Sequence, residues 1–203
     1  MEKFVHKRPP PYEVFFAPLE AHLSPTKLER IQFAYFLSKY GHALQKRDDG
    51  TRFFDHPKSV AWSAMTEYDF LDPEVIILCL LHDTKEDTYL LSLFRIALNF
   101  GVRMALDIRA VTKLKKGKET TEEYLARIIA RGPKAIFAKL LDRLHNLREL
   151  GNCEPEKIAR QLEETRKYHL QLLSPALRTH GDKWSAIADK TEQKILEAMG
   201  HFA

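Results

Sequence analysis

Four ionisable side chains follow directly on an apolar stretch of the sequence. The run Val75–Leu81 is succeeded by His82-Asp83 and, within one further helical turn, by Glu86-Asp87. On a helix, residues three and four apart lie on one face, so these side chains can share a single cavity. Three carboxylates held close together repel one another unless a cation compensates their charge, and buried charges are costly without a partner. The spacing therefore predicts a divalent metal ion at this helix end.

Two further residues could complete such a site. His56 precedes Pro57, and because proline is typical of the first turn of a helix, His56 is expected at a bend in the chain. Asp142 lies on a predicted helix whose opposite face carries Leu140 and Leu147. Each residue alone is weak evidence, since a single histidine is more often a satisfied core residue and a single aspartate is more often solvated. The spaced set is more specific than its members.

The remaining sequence predicts the elements that position these residues. Apolar residues recur with helical rather than strand periodicity, so we expect an all-α fold, a helical bundle of about nine to eleven helices. Ser24-Pro25 and Asp72-Pro73 are each typical of a helix start. The predicted helical ranges are about 25–44, a helix after 57, 73–82, 91–100, 102–114, 121–131, 133–150, 155–173 and 184–199, with a loop over 47–54.

Composition limits the functional classes. The chain has 203 residues, of which 30% are charged, and a formal net charge of +4. This mild excess is either ordinary surface charge or a preference for an anionic substrate; DNA binding is not expected, because basic residues are interspersed with acidic ones. No apolar run approaches the roughly 20 residues needed to span a membrane. Cys79 is expected to be a buried small hydrophobe, and two cysteines do not make a disulfide framework. A cytoplasmic protein is the expectation.

The ordered set of motifs resembles the HD phosphohydrolase superfamily and, within it, the hydrolase domain of the RelA/SpoT alarmone enzymes. The residues that carry the resemblance, over about residues 28 to 175, are Arg47-x-x-Gly50, His56-Pro57, His82-Asp83-Thr84-x-Glu86-Asp87-Thr88, Phe100-Gly101, Val111-Thr112-Lys113-Leu114 and Asp142-Arg143-Leu144-His145-Asn146-Leu147-Arg148. The Glu-Asp pair and the Val-Thr-Lys-Leu stretch distinguish this branch from other HD phosphatases. The chain is similar to a stand-alone small alarmone hydrolase, with residues 1–23 as a peripheral arm and 24–203 as a single HD hydrolase domain.

The resemblance implies a hydrolytic metal site. It implies that one manganese ion, Mn²⁺, is held by four residues, which are His56, His82, Asp83 and Asp142. It also implies that Glu86 and Asp87 orient or deprotonate the attacking water. The implied reaction, part of the stringent response, removes the 3′-pyrophosphate of the nucleotide (p)ppGpp and gives GDP or GTP and pyrophosphate.

The resemblance further assigns the substrate contacts. Arg47 matches the arginine that stacks on the base, Asn146 matches a residue near the nucleoside, and Lys113 is a candidate phosphate contact. Arg143 is expected to form a structural ion pair. Two departures bear on substrate: Asp48-Asp49 follows Arg47, and Glu149 stands where many members have threonine.

Two other readings are open at the sequence level. The same chemistry could act on another 3′-phosphorylated nucleotide, such as ppApp or NADPH, or on an RNA end, with the enzyme serving as an antitoxin. A non-catalytic nucleotide-binding protein on the same scaffold is less favoured, because a pure binder needs neither the full ligand set nor Glu86-Asp87. Base specificity, oligomeric state and regulation do not follow from the sequence.

Overall fold

The structure, a computed structural model, describes residues 9–47, 50–83, 92–114 and 117–202. Within these ranges it contains eleven α-helices, α1 to α11, and one isolated antiparallel β-bridge between Lys46 and Arg52. The predicted all-α class and helix number are confirmed. Contacts group the described residues into two compact units, 9–113 and 114–202. None of the described helices combines the length and the apolar character that a membrane crossing requires.

The first unit holds the first six helices. They are α1 (Tyr12–Glu20), α2 (Pro25–Gly41), α3 (Asp55–Tyr68), α4 (Pro73–Leu81), α5 (Leu93–Phe100) and α6 (Val102–Val111).

Helix α4 is the centre of this unit, because α2, α3 and α6 all pack against it. The side chains of Val75–Leu81 are all buried, Cys79 among them as predicted. Burial of one Leu-sized side chain contributes about 1.5–3 kcal/mol, so this run anchors the unit. Asp72 caps the helix by accepting a hydrogen bond from the Glu74 backbone N–H at 2.8 Å. The predicted helix start is confirmed, and α4 delivers His82 at its C-terminal end.

Helix α1 lies in the stretch expected to be a peripheral arm, but its side chains belong to the core. Phe15, Phe16 and Leu19 are fully buried, and the rings of Phe15 and Phe16 each lie 5.4 Å from that of Tyr35. Burial raises the pKa of Tyr35 to about 12. The spacing of these apolar residues fits one face of a helix, and only tertiary packing determines that this face is covered. A domain boundary at residue 24 stays a prediction.

The second unit holds the remaining helices. They are α7 (Thr121–Arg131), α8 (Pro133–Arg148), α9 (Pro155–Glu164), α10 (Ser174–Arg178) and α11 (Asp182–Gly200), with a 3-10 turn at Leu150–Asn152 and a π-helical segment at Thr165–Leu173 between α9 and α10.

Helix α8 is the centre of the second unit, packed against α7, α10, α11 and the π-helical segment. It follows Gly132, whose φ of 95° suits glycine, and Pro133 occupies its first turn. The helix is buried on nearly all sides, including the polar residues Asp142, Arg143 and His145. Asp142 therefore does not take the solvated position that a single aspartate more often has.

Several predicted boundaries are wrong by two or three residues. Helix α2 ends at Gly41, α6 at Val111 and α8 at Arg148, each earlier than predicted, and α11 begins earlier, at Asp182. Thr112 has an extended backbone (ψ 121°), which ends α6 before the predicted limit. The predicted helix over 155–173 is α-helical only to Glu164 and then widens into the π-helical segment.

Candidate metal centre

His56 is held at the first turn of α3 by the packing of its neighbours. Its backbone N–H donates to the Phe53 carbonyl at 3.1 Å, and the adjacent Phe54 ring meets the Tyr35 ring edge-on at 4.9 Å. Lys58, two residues further along, donates to the Pro10 carbonyl at 3.1 Å and so ties the N-terminal segment to this turn. Only 1% of His56 is exposed. The imidazole is therefore held in a fixed, desolvated position, as a metal ligand requires.

His82 closes α4 with one ring nitrogen already engaged. Its Nδ1 lies 2.7 Å from the Cys79 carbonyl, which can only accept, so Nδ1 carries a hydrogen. In the neutral imidazole Nε2 then presents a lone pair. The His82 carbonyl accepts a hydrogen bond from Thr112 Oγ1 at 3.4 Å, which links this helix end to the end of α6. A histidine whose Nδ1–H is fixed by a carbonyl is the usual arrangement of a metal ligand.

The side chains of His56, His82 and Asp83 converge. One ligand atom from each lies within 4.8 Å of the others, and each histidine Nε2 is 3.7 Å from Asp83 Oδ2. The imidazole rings are 5.3 Å apart and tilted by 57°. The separation of 3.7 Å is too long for a hydrogen bond. The structure thus brings together three residues that sequence motifs some 26 positions apart had predicted to share a metal ion.

This donor set fits one divalent cation. Ligand atoms about 2.1 Å from one ion lie about 3 to 3.5 Å apart at ordinary coordination angles, so the observed separations need only a small adjustment. Two neutral imidazoles and one carboxylate carry a single negative charge, which a divalent ion more than compensates. Asp83 is about one-third exposed, so one side of the cluster is open to solvent. These three residues could therefore hold a metal with open positions for water or a phosphate oxygen.

Asp142, the fourth predicted ligand, lies on α8 in the second unit and is paired along its own helix. Lys139 Nζ donates to Oδ2 and Asn146 Nδ2 to Oδ1, both at 2.7 Å. Burial alone would lower the pKa of Lys139, but the Asp142 carboxylate beside it raises that pKa above its ordinary value. Each carboxylate oxygen has a second lone pair, so these two contacts leave Asp142 the capacity to coordinate an ion. Its role as a ligand stays a prediction.

Arg143, beside Asp142, is the centre of a buried network, as its predicted structural role requires. Its Nε donates to His169 Nε2 at 3.2 Å, and its other nitrogens donate to Gln161 Oε1 and, at 3.0 Å, to Glu164. His169 lies in the π-helical segment and contacts the Glu164 carbonyl, five residues back, through Nδ1 at 3.4 Å. Burial and the cation of Arg143 lower the pKa of His169 well below its ordinary value. His169 is therefore a neutral acceptor.

Of the remaining predicted site residues, the structure describes Arg47 and Lys113. Arg47 is half-buried in the loop between α2 and α3, where its backbone pairs with Thr51 and Gly50. Lys113 is exposed, one residue beyond the Thr112 that contacts His82. The predicted catalytic pair Glu86 and Asp87 lies outside the described residues.

Sequence reasoning missed Lys139 and His169. Lys139 could have been found, because a lysine three residues before an aspartate on a helix is a recognisable ion-pair spacing. His169 could not, since the widened helix that turns it toward Arg143 leaves no local signal.

The chain is similar in sequence to curated bacterial proteins. It is 38% identical over 153 residues to the guanosine-3′,5′-bis(diphosphate) 3′-pyrophosphohydrolase of Aquifex aeolicus, covering 73% of this chain and 22% of that protein. It is 30% identical over 179 residues to the GTP pyrophosphokinase of Streptomyces coelicolor, covering 82% of this chain and 21% of that protein. The chain thus spans about a fifth of the length of these relatives. No family model matches it.

The fold is similar to that of a solved structure described as a metazoan ortholog of SpoT that hydrolyzes ppGpp. The TM-score is 0.63 at 23% sequence identity, over 85% of this chain and 97% of that one. At this identity the likeness shows a shared fold. With the sequence likeness to both RelA/SpoT-type activities, it confirms the family that the motifs predicted. Over its matched residues, the chain belongs to the RelA/SpoT family.

Proposed function

We propose that this chain is a metal-dependent hydrolase that removes the 3′-pyrophosphate of the guanosine alarmones (p)ppGpp, giving GDP or GTP and pyrophosphate. The convergence of His56, His82 and Asp83 carries the proposal, because two imidazoles and a carboxylate with an open side are a donor set that hydrolytic metal sites use. The name of the Aquifex relative supports the reaction. We also propose that the enzyme works in the cytoplasm, in the stringent response.

The proposed metal is Mn²⁺, with Asp142 as the fourth ligand. A mixed set of nitrogen and oxygen donors suits an octahedral ion of this kind. When bound, the ion supplies Lewis acidity toward a phosphate oxygen and lowers the pKa of water. The protein supplies fixed ligands: His82 is oriented by its hydrogen bond to Cys79, and His56 by the first turn of α3.

Glu86 and Asp87 are the proposed proton-handling residues. Both follow His82-Asp83 within one helical turn of sequence. A carboxylate beside the attacking water can orient it and accept its proton, an effect typically worth about 10²–10⁴-fold in rate.

Three residues are proposed to contact substrate. Arg47 would stack on the base through its planar guanidinium, and Lys113 would contact a phosphate. Asn146 donates one Nδ2 hydrogen to Asp142, so a nucleoside contact would use its Oδ1 or its second Nδ2 hydrogen.

A substrate panel combined with elemental analysis tests the proposal. The purified chain is assayed with ppGpp, ppApp and NADPH in the presence of Mn²⁺, and the products are identified by ion-exchange chromatography. We expect GDP and pyrophosphate from ppGpp, and about one Mn²⁺ per chain. Turnover of ppApp or NADPH without ppGpp hydrolysis would move the assignment to another nucleotide. Absence of turnover on all three would reject it.

Two variants separate metal binding from catalysis. Asp83→Ala is expected to lose both metal and turnover, because a direct ligand is removed. Glu86→Ala is expected to retain the metal but lose most of the rate. Full activity in either variant would contradict the mechanism.

A further inference from the structure

The helical hairpin α5–α6 exposes large apolar side chains on the face that points away from its own core. Phe94 and Leu98 on α5 are 72% and 69% exposed, and Val102 and Leu106 on α6 are 66% and 49% exposed. Each pair is one helical turn apart. These four residues form what we call the outer face. A surface helix of a monomer ordinarily carries polar residues there.

The outer face is not needed by the hairpin's own packing. The inward side is filled by another set of side chains, which are Ile96, Phe100, Met104, Ala105 and Ile108. The hairpin is therefore apolar on two opposite sides, with Gly101 (φ 91°) forming the corner. Phe33 on α2, 45% exposed, stacks on Phe100 at 5.5 Å and extends the apolar surface around that corner.

The size of the outer face suits a protein interface. Its four side chains are each about half or more exposed, and the largest apolar patch on a monomer, about 300–600 Å², is often functional. A patch of that size would supply part of the roughly 800 Å² that one partner contributes to a standard interface. Near the hairpin corner, Arg30 pairs with Glu74 at 2.8 Å and reaches the Phe100 carbonyl. An apolar centre with a charged rim is the usual anatomy of an interface.

Charge distribution favours a second copy of the same chain. Arg103 and Asp107 follow Val102 and Leu106 directly, with the same spacing of one turn. When two α6 helices cross antiparallel about a twofold axis near residue 105, Arg103 of each copy faces Asp107 of the other. This strip of α6, with Arg103 exposed and Asp107 half-buried, is thus self-complementary in charge as well as apolar.

We propose that the outer face of α5–α6 is the interface of a homodimer with twofold symmetry. The proposal does not depend on the reaction the enzyme catalyses. It does specify the register, because only the antiparallel crossing of α6 places opposite charges together.

Sedimentation equilibrium of the full chain over a wide concentration range tests the dimer. We expect a monomer–dimer equilibrium that Leu98→Glu weakens by at least about tenfold, because the substitution places a carboxylate in the apolar centre of both copies. Leu196→Glu is the matched control, since Leu196 is 51% exposed on α11 in the other unit. This control is expected to dimerise like the wild type. Far-UV circular dichroism establishes that both variants are folded.

A charge reversal tests the register. Arg103→Asp is expected to weaken the dimer, and the double variant Arg103→Asp/Asp107→Arg to restore it, since the two charges exchange places across the axis. A wild type that sediments as a monomer at every concentration would overturn the proposal and leave the face to a partner of another sequence. Equal dimerisation of the wild type and Leu98→Glu would also overturn it. Failure of the double variant to recover would reject the antiparallel register.

Discussion

The cluster of His56, His82 and Asp83 and the network around Asp142 and Arg143 contain the same kinds of side chain but differ in how their charges are compensated. In the first, two imidazole nitrogens lie 3.7 Å from a carboxylate oxygen, beyond hydrogen-bond reach. In the second, Lys139 and Asn146 contact the Asp142 carboxylate at 2.7 Å, and Arg143 contacts Glu164 at 3.0 Å.

This difference supports a binding role for the first cluster and a structural role for the second. A set of lone-pair donors that face one another is suited to a cation from outside the chain. A set in which each anion already meets a cation at short range fixes helices to one another, and of its members only Asp142 is also a proposed metal ligand. Residue type alone does not separate the two cases, since both clusters contain histidine and acid. The measurements below test this assignment of roles.

Removal of His82 should have the largest effect. Even outer-shell partners of a metal change its affinity by about 10–100-fold, so His82→Ala should weaken metal binding by more than about 100-fold and abolish turnover. Metal titration by isothermal calorimetry measures the affinity. His22→Ala is a matched control, because His22 makes the same ring-to-carbonyl contact, to Pro18 at 2.8 Å, but on the exposed surface. A His82→Ala protein with unchanged metal affinity would refute the site.

Arg143→Leu should be the most destabilising change in the second network. It leaves the half-buried Glu164 carboxylate without its cation, and breaking a buried pair costs about 3–5 kcal/mol. Urea denaturation measures the free energy of unfolding. Arg178→Leu is the control, since Arg178 forms two ion pairs on the surface, where each contributes about 1 kcal/mol or less. Equal losses in the two variants would mean that the Arg143 network has no special structural role.

Asp142→Asn tests whether Asp142 is both a metal ligand and a member of the structural network. Because asparagine keeps one oxygen, metal affinity should fall by about 10–100-fold, less than for His82→Ala. Loss of the buried charge beside Lys139 should also lower stability. Asp189→Asn, at a surface ion pair with Arg178, is the control for the charge change. Lowered stability with unchanged metal affinity would remove Asp142 from the ligand set.

The sequence predicted the parts of this fold that local chemistry determines. Asp72-Pro73 marked the start of α4, and the apolar run behind it carried His82 to the right end of the helix. The capping box of Thr120 and Glu123 likewise fixes the start of α7 at the predicted residue. These signals are side-chain and backbone preferences within one turn.

Long-range packing accounts for what the sequence did not predict. The apolar face of α1 is covered by residues far away in sequence, among them the Tyr35 ring on α2 and the Trp62 ring on α3. The π-helical segment has no pattern of its own, and it brings His169 to Arg143 across 26 residues of sequence. The exposed apolar side of the α5–α6 hairpin was also not predicted. The sequence does not distinguish an apolar helix face that is buried from one that stays exposed.

The smallest expected effect is a pH dependence of stability from His169. Burial, together with the cations of Arg143 and Lys139, lowers the pKa of His169 in the folded chain, whereas in the unfolded chain that pKa is about 6.5. The contribution of His169 to the free energy of unfolding is fully present above about pH 6.5. It falls as the pH drops below that value, by up to about 1.4 kcal/mol per pH unit, because only the unfolded chain takes up the proton.

His169→Gln keeps an acceptor for Arg143 and cannot titrate, so its unfolding free energy should fall less steeply in acid. Urea denaturation of both proteins across this pH range gives the two slopes, with His180→Gln, at an exposed histidine, controlling for the loss of one imidazole. Parallel slopes for the wild type and His169→Gln would show that His169 is protonated as readily in the folded chain as in the unfolded one, contrary to its role as a buried neutral acceptor.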